Sequence, residues 1–200
     1  TALAVYGCVL GYDLIADEMK DKELSELVKR IGLVEGMPVV TNPGIIAPEK
    51  FADEVINVRI PNPFMPDTPQ RIATDTSQKV GIRYGETIKS YVAKDGSARA
   101  LTAIPLAIAG WCRYLLGIDD NGEAFELSPD PMADELKCQL DGIVWGESSS
   151  YTGQLKNLLS NANIFGINLY EAGIGDKIEE MFVEEISGKG AVRETLKKYL

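Results

Sequence analysis

The stretch Leu101–Leu115, LTAIPLAIAGWCRYL, determines the class of fold. Its large apolar residues recur every three or four positions: Leu101, Ile104, Ile108, Trp111 and Leu115. That spacing places them on one face of an α-helix and predicts a helix that packs into a core. Pro105 lies inside this stripe, and it predicts a kink or a break near the start of the helix.

Helical patterns extend outward from this segment in both directions. They predict helices at Glu23–Ile31, from Pro48 to Pro61, from Pro69 after a cap at Asp67 or Thr68, from Asp130-Pro131 to Leu140, from Ile167 to a stop at Gly188, and at Ala191–Leu200. Only Pro38–Val40 and Ile143–Trp145 are candidates for strands. The sequence therefore predicts one mainly α, multi-helix domain over residues 1–200.

Composition restricts the classes of partner. The formal net charge of -10 argues against nucleic acids and anionic membranes, which repel an acidic surface. The apolar run from Ala100 to Gly117 contains Arg113 and is too short to span a bilayer. We expect a cytoplasmic protein without a membrane or nucleic-acid partner.

Cysteine and histidine usage restricts the chemistry. Cys8, Cys112 and Cys138 are far apart and form no CxxC pair, which favours reduced thiols. The chain contains no histidine, so it can form neither a His/Cys zinc site nor a Ser-His-Asp triad. We therefore expect no metal site.

The segment Pro61–Thr87 is the best candidate for a binding site. Arg71 and Lys79 bracket a carboxylate and an amide, Asp75 and Gln78, within about two helical turns. Cations can bind the carboxylate of a polyhydroxylated acid, while the amide and Asp bind its hydroxyls. The competing interpretation is an internal salt-bridge network in which Asp75 pairs with Arg71. Residue chemistry alone leaves both open.

A series of short motifs runs along the whole chain. They are Asn62-Pro63, Asp67-Thr68, Arg71, Asp75–Lys79, Ala109–Leu115, Asp130-Pro131, Ile164–Leu169 and Gly190–Arg193. In sequence and order they resemble the C-terminal domain of the mannitol dehydrogenase family, the zinc-independent polyol and sugar-acid dehydrogenases. Within that family, Asp67–Lys79 is most similar to the fructuronate reductases, also called D-mannonate oxidoreductases.

The resemblance implies a helical substrate-side domain, of the kind found in 6-phosphogluconate-dehydrogenase-type and mannitol dehydrogenase enzymes. It implies NAD-dependent interconversion of D-fructuronate and D-mannonate. Arg71 and Lys79 match the substrate-binding Arg and Lys of the family, and Asp75 and Gln78 are weaker candidates. The catalytic lysine of the family lies in a Lys-x4-Asn-x2-His motif, and Thr1 matches the residue directly after it.

We therefore expect that the catalytic lysine, the partner Rossmann domain and the NAD site all precede Thr1. The chain has no GxGxxG fingerprint, and residues 1–200 alone are expected to be inactive. Two alternatives remain. The substrate could be tagaturonate, mannitol, fructose or another polyol, or the chain could be a stand-alone helical interaction module without activity.

Overall fold

A computed structural model describes all residues, 1–200. Its α-helices are α1 Ala2–Leu10, α2 Ile15–Glu18, α3 Lys22–Lys29, α4 Pro48–Glu54, α5 Pro69–Ile72, α6 Thr76–Val80, α7 Glu86–Asp95, α8 Ala103–Tyr114, α9 Ala133–Gln139, α10 Lys156–Leu159, α11 Ala162–Phe165, α12 Gly175–Glu185 and α13 Ala191–Tyr199. Three helices continue into π-helical turns, at Arg30–Gly36, Val55–Arg59 and Gly81–Gly85. The prediction of a mainly α domain is confirmed.

The centre of the core is α8, whose residues are all buried. It packs between α1 and α12. Gly110 allows α1 to approach closely, because a Cβ at this position would lie 2.3 Å from Cζ of Tyr6. On another side of α8, the ring of Trp111 meets that of Phe165 edge to face, with centroids 5.8 Å apart. The apolar stripe in the sequence therefore marks the helix around which the other helices pack.

The start of α8 is capped by a carboxylate that is distant in sequence. Glu35 is buried and accepts the backbone N–H groups of Thr102, Ala103 and Ile104 at 2.6, 2.7 and 2.8 Å. Pro105 follows in the first turn, where its missing N–H breaks no helical hydrogen bond. Pro105 therefore lies in the first turn of the helix without kinking it.

Replacing Glu35 with Ala should lower the free energy of unfolding by about 3–5 kcal/mol, because three buried N–H groups lose their acceptor. Urea unfolding monitored by circular dichroism measures this change. Glu26→Ala is the control, since Glu26 only pairs with Arg30 one turn away and should contribute about 0.5 kcal/mol. Equal losses in the two variants would contradict the capping role of Glu35.

Three sequence predictions on secondary structure were wrong. Neither candidate strand forms, and the only β pairing is an isolated bridge between Ile118 and Ala124. The helix expected from Ile167 begins at Gly175. The Asn168 side chain accepts the N–H of Tyr170 at 2.9 Å and forms a competing turn, and Gly173 then adopts a left-handed φ of 84°.

Two carboxyl groups, those of Glu18 and Glu185, are completely buried in this core. No cation forms an ion pair with the carboxyl of Glu185. The nearby guanidinium of Arg113 donates instead to the backbone carbonyls of Glu185, Ile118 and Asp119. Glu18 is buried against Gly7 and Pro69, and neither of its oxygens has a hydrogen-bond partner. Burial raises the pKa of Glu185 to about 8 and that of Glu18 to about 9. Both carboxyls are therefore mostly protonated at neutral pH.

None of the helices combines the length and the apolar composition that crossing a membrane requires.

Candidate functional site

The candidate residues lie on α5, α6 and the turn between them. Pro69 occupies the first position of α5, and the Thr68 side chain caps the helix by accepting the N–H of Arg71 at 3.2 Å. Both features are those predicted from the sequence. α5 packs against α1, and the N–H of Ile15 donates to the carbonyl of Asp67 at 2.9 Å. The core thus fixes the position of α5.

Asp75 forms the turn that separates α5 from α6. It is the only non-glycine residue with positive φ, at 56°, in the left-handed region that Asp tolerates better than most residues. Its N–H donates to the carbonyl of Pro129 at 2.9 Å, and its own carbonyl accepts the N–H groups of Gln78 and Lys79. The candidate residues therefore do not lie on one continuous helix.

A distant carboxylate holds the start of α6. Asp130 accepts four hydrogen bonds: from Oγ1 of Thr76 at 3.1 Å, from the N–H and Oγ of Ser77 at 2.8 and 2.5 Å, and from the N–H of Met132 at 3.0 Å. Burial alone would raise the pKa of Asp130, but these donors, first of all Ser77, hold it below its usual value. The sequence indicated Asp130 as a helix start and as part of a family motif, but not as the partner of Ser77.

Lys79 binds the end of α5. Its half-buried ammonium donates to the carbonyls of Ile72 at 3.1 Å and Thr74 at 2.6 Å, which places a cation at the negative end of a helix. An ammonium has three donors, so one remains for another acceptor. Lys79 therefore has a structural role as well as the capacity to bind a ligand.

Arg71 is much more open. Its guanidinium pairs with Asp67, one turn earlier, and its side chain is 69% exposed. The ion pair between Arg71 and Asp75 that the structural interpretation required is not formed. Gln78 is exposed and Asp75 half-buried, and no side-chain hydrogen bond or ion pair joins Arg71, Asp75, Gln78 and Lys79 to one another. The four lie on the unit formed by α5, the turn at Asp75 and α6, and no contact pairs them with one another.

A cleft adjoins this unit at the start of α1. It has a volume of about 240 Å³, and its lining includes Thr1, Ala4, Arg59, Asp67 and Ile72. Asp67 thus connects the cleft wall to Arg71. Arg59 forms an ion pair with Glu54 at 2.7 Å, so its guanidinium is already partnered. The cleft is largely apolar with a polar rim, an arrangement typical of small-molecule sites.

The described residues do not form a dinucleotide site of the Rossmann type. Such a site requires a parallel sheet with a glycine-rich turn leading into a helix. The chain forms no strand, and its only bridge is antiparallel. The residues present therefore do not fit NAD by themselves.

Comparison with known proteins identifies the class. The family model described as the mannitol dehydrogenase C-terminal domain matches residues 1–186. The D-mannonate oxidoreductase of Thermotoga maritima is 56% identical over 199 residues, which are 99% of this chain and 37% of that relative. The D-mannonate oxidoreductase of Escherichia coli is 30% identical over 135 residues, 68% of this chain and 27% of that relative. The chain belongs to the mannitol dehydrogenase family, so the resemblance is confirmed.

Solved structures agree on the fold. The mannitol 2-dehydrogenase of Pseudomonas fluorescens, solved as a ternary complex with NAD and D-mannitol, superimposes with a TM-score of 0.78 at 21% identity. The match covers 98% of this chain and 37% of that one. A substrate-free D-sorbitol dehydrogenase gives a TM-score of 0.74 at 22% identity. The match spans 37% of the Thermotoga maritima relative and of both solved structures, and 27% of the Escherichia coli relative.

Proposed function

We propose that this chain is the substrate-side domain of an NAD-dependent oxidoreductase that interconverts D-fructuronate and D-mannonate. One observation carries the proposal: 56% identity, over nearly the entire chain, to a protein named D-mannonate oxidoreductase. An open Arg71 beside a cleft, on a unit that also carries Lys79, supports it. The protein binds a small sugar acid and completes its site with a cofactor-binding Rossmann domain outside these 200 residues.

In this proposal Arg71 and Lys79 bind and orient the substrate. Arg71 can release the half-buried carboxylate of Asp67 and donate to hydroxyl or carbonyl oxygens of the substrate, because an ion pair at the surface is weak. Lys79 offers its remaining N–H donor to a hydroxyl or carbonyl oxygen. Asp75, in the turn before α6, accepts hydrogen bonds from the sugar hydroxyls. Gln78, on α6, can both accept from them and donate to them.

NAD, held by the domain outside this chain, supplies or accepts the hydride. The residues described here contribute position: they hold the substrate in one orientation while the reaction takes place elsewhere in the protein. Correct orientation alone can lower a barrier by several kcal/mol. A domain that only orients the substrate, and transfers no proton, can therefore still contribute strongly to the rate of turnover.

Steady-state kinetics of the full-length enzyme test the proposal. NADH oxidation is followed with fructuronate, tagaturonate and fructose as substrates. We expect kcat/KM for fructuronate to exceed that for fructose at least about 100-fold, because a neutral ketose cannot pair with the cations of the site. Residues 1–200 alone, as the control, should oxidise no NADH.

Equal rates on fructuronate and fructose would refute the sugar-acid assignment and favour a polyol dehydrogenase. A higher kcat/KM for tagaturonate than for fructuronate would identify a different sugar acid as the substrate. Full-length protein that is folded and inactive on all three substrates would favour a helical interaction module.

A further inference from the structure

We propose that Arg83 binds the carboxylate of the substrate and thereby makes the site selective for sugar acids over neutral ketoses and polyols. This inference rests on the proposed function and assigns its specificity to one residue. Three observations carry it: the way the π-helical turn is anchored, the position of that turn beside the start of α1, and the absence of any partner for Arg83.

The turn Gly81–Gly85 is anchored through its glycines. A Cβ on Gly81 would lie 2.0 Å from the carbonyl oxygen of Ile164, and one on Gly85 would lie 2.1 Å from that of Phe165. Backbone thus lies directly against backbone on this face. Because a π-helical turn holds roughly four to five residues, Arg83 lies half a turn from both glycines and on the opposite face. Close packing on α11 therefore fixes the direction in which Arg83 projects.

The opposite face lies near the start of α1. The side chains of Arg83 and Lys79 are close enough to the Thr1 nitrogen for their charges to act on it. The backbone amide of Ala2 and the charge of Arg83 likewise act on the buried hydroxyl of Tyr84. Thr1 lines the cleft described above. Arg83 and Lys79 therefore lie close to the same end of α1 as the cleft.

Arg83 is the cation of this region that has no partner. Arg59 pairs with Glu54, Arg71 with Asp67, and Lys79 donates to two backbone carbonyls. Arg83 is exposed and forms neither an ion pair nor a hydrogen bond within the chain. Its five N–H donors are free, and their planar arrangement matches a carboxylate, which can accept two of them in parallel.

The other cations suit the rest of the substrate. A sugar acid carries one carboxylate and several hydroxyl or carbonyl oxygens. Lys79 has one donor left, enough for a single oxygen, and Arg71 must first release Asp67. Only Arg83 can form a two-point contact with a carboxylate without breaking an existing interaction. The guanidinium thus distinguishes an acid from a neutral polyol of the same size.

The test compares Arg83→Gln and Arg83→Lys with wild type in the full-length enzyme. Each is assayed with fructuronate and with the neutral ketose fructose. The constant for fructose is its KM if fructose is a substrate, and its inhibition constant against fructuronate if it is not. Arg83→Gln should raise KM for fructuronate roughly 10- to 100-fold and leave the constant for fructose within about twofold. Arg83→Lys should recover part of the fructuronate affinity, because it keeps the charge and loses the two-point contact.

Arg99→Gln is the matched control, since Arg99 is likewise exposed and has no ion pair but lies beside Gly173 rather than at the start of α1. It should leave both constants unchanged. A parallel loss for fructuronate and fructose in Arg83→Gln, or no change in either, would overturn the role of Arg83. Wild-type enzyme without activity on fructuronate would instead overturn the proposed function itself.

Discussion

The free energy of unfolding of residues 1–200 should fall by about 5 kcal/mol as the pH rises from 5 to 8. Most globular proteins are at their most stable within this range, so the expected trend is unusual. Its origin is the pair of buried carboxyls, Glu18 and Glu185, whose pKa values burial raises to about 9 and about 8. In the unfolded chain both should titrate near the ordinary value of about 4.3.

The direction follows from proton counting. Above pH 5 the unfolded chain has lost both protons and the folded chain keeps them, so each rise in pH favours unfolding. Each carboxyl contributes about 1.4 kcal/mol per pH unit. The Thr1 amino group, whose pKa is lowered to about 6, acts in the opposite sense between pH 6 and 8 and cancels one of the two. The stability is therefore greatest near pH 5 and is lost as the pH passes through the two raised values.

Hydrogen-bond geometry supports a protonated Glu185 independently of its pKa. The Tyr6 hydroxyl lies 2.8 Å from the carbonyl oxygen of Leu106 and 2.6 Å from Oε1 of Glu185. A phenol has one proton to donate, and the carbonyl can only accept. Both short contacts are satisfied when Tyr6 donates to Leu106 and a protonated Glu185 donates to Tyr6.

Urea unfolding at pH 5, 6, 7 and 8 measures the trend. The chain has no histidine, the side chain whose ordinary pKa lies in the middle of this interval. Glu185→Gln imitates the protonated carboxyl, because its amide can donate to Tyr6. This variant should match wild type at pH 5 within about 1 kcal/mol and exceed its stability by several kcal/mol at pH 8.

Glu184→Gln is the control, since Glu184 is the adjacent residue and pairs with Lys198 at 2.5 Å near the surface. It should keep the wild-type dependence on pH. If Glu185→Gln kept that dependence as well, Glu185 would already be ionised at pH 5 in the folded protein, and the buried proton would be refuted.

Arg71→Ala in the full-length enzyme should lower kcat/KM for fructuronate about 100- to 1,000-fold, as expected for the loss of two charge-assisted hydrogen bonds to the substrate. The thermal unfolding midpoint should move by less than about 2 °C. The reason for this separation is the exposure of Arg71: its only contact is a surface pair with Asp67, which contributes about 0.5 kcal/mol. Lys79 would give a less clear result, because its ammonium also binds the end of α5.

Kinetics and differential scanning calorimetry on the same preparation check both parts. Lys197→Ala is the control, because Lys197 forms a comparable exposed pair with Glu194 on α13, which packs against α12, α8 and α3. It should change neither quantity. A lowered midpoint with normal activity per folded Arg71→Ala molecule would show that Arg71 is structural.

Local patterns in the sequence were enough to predict the helical class and the starts of several helices. The apolar stripe of α8, the cap at Thr68 with Pro69 after it, and the last helix at Ala191 were all recognisable, and the structure has them. These features depend on residues within about one or two helical turns of each other. The family resemblance, which the comparisons confirm, also placed Arg71 and Lys79 as the substrate-binding candidates.

Contacts between distant segments were decided only by the tertiary structure. Glu35 caps α8 from 67 residues away, and Asp130 holds Ser77 from 53 residues away. Nothing near either carboxylate in the sequence indicates its partner. The direction of Arg83 likewise depends on the packing of Gly81 and Gly85 against α11.

The sequence by itself determined that this protein is a helical domain of its family, because helices are specified by periodicity and caps over short distances. Tertiary structure decided which cations are free to bind a ligand. A charged side chain becomes structural or available according to the carboxylates and carbonyls that folding brings beside it. Lys79 meets the carbonyls of α5, Arg71 meets Asp67, and Arg83 meets none.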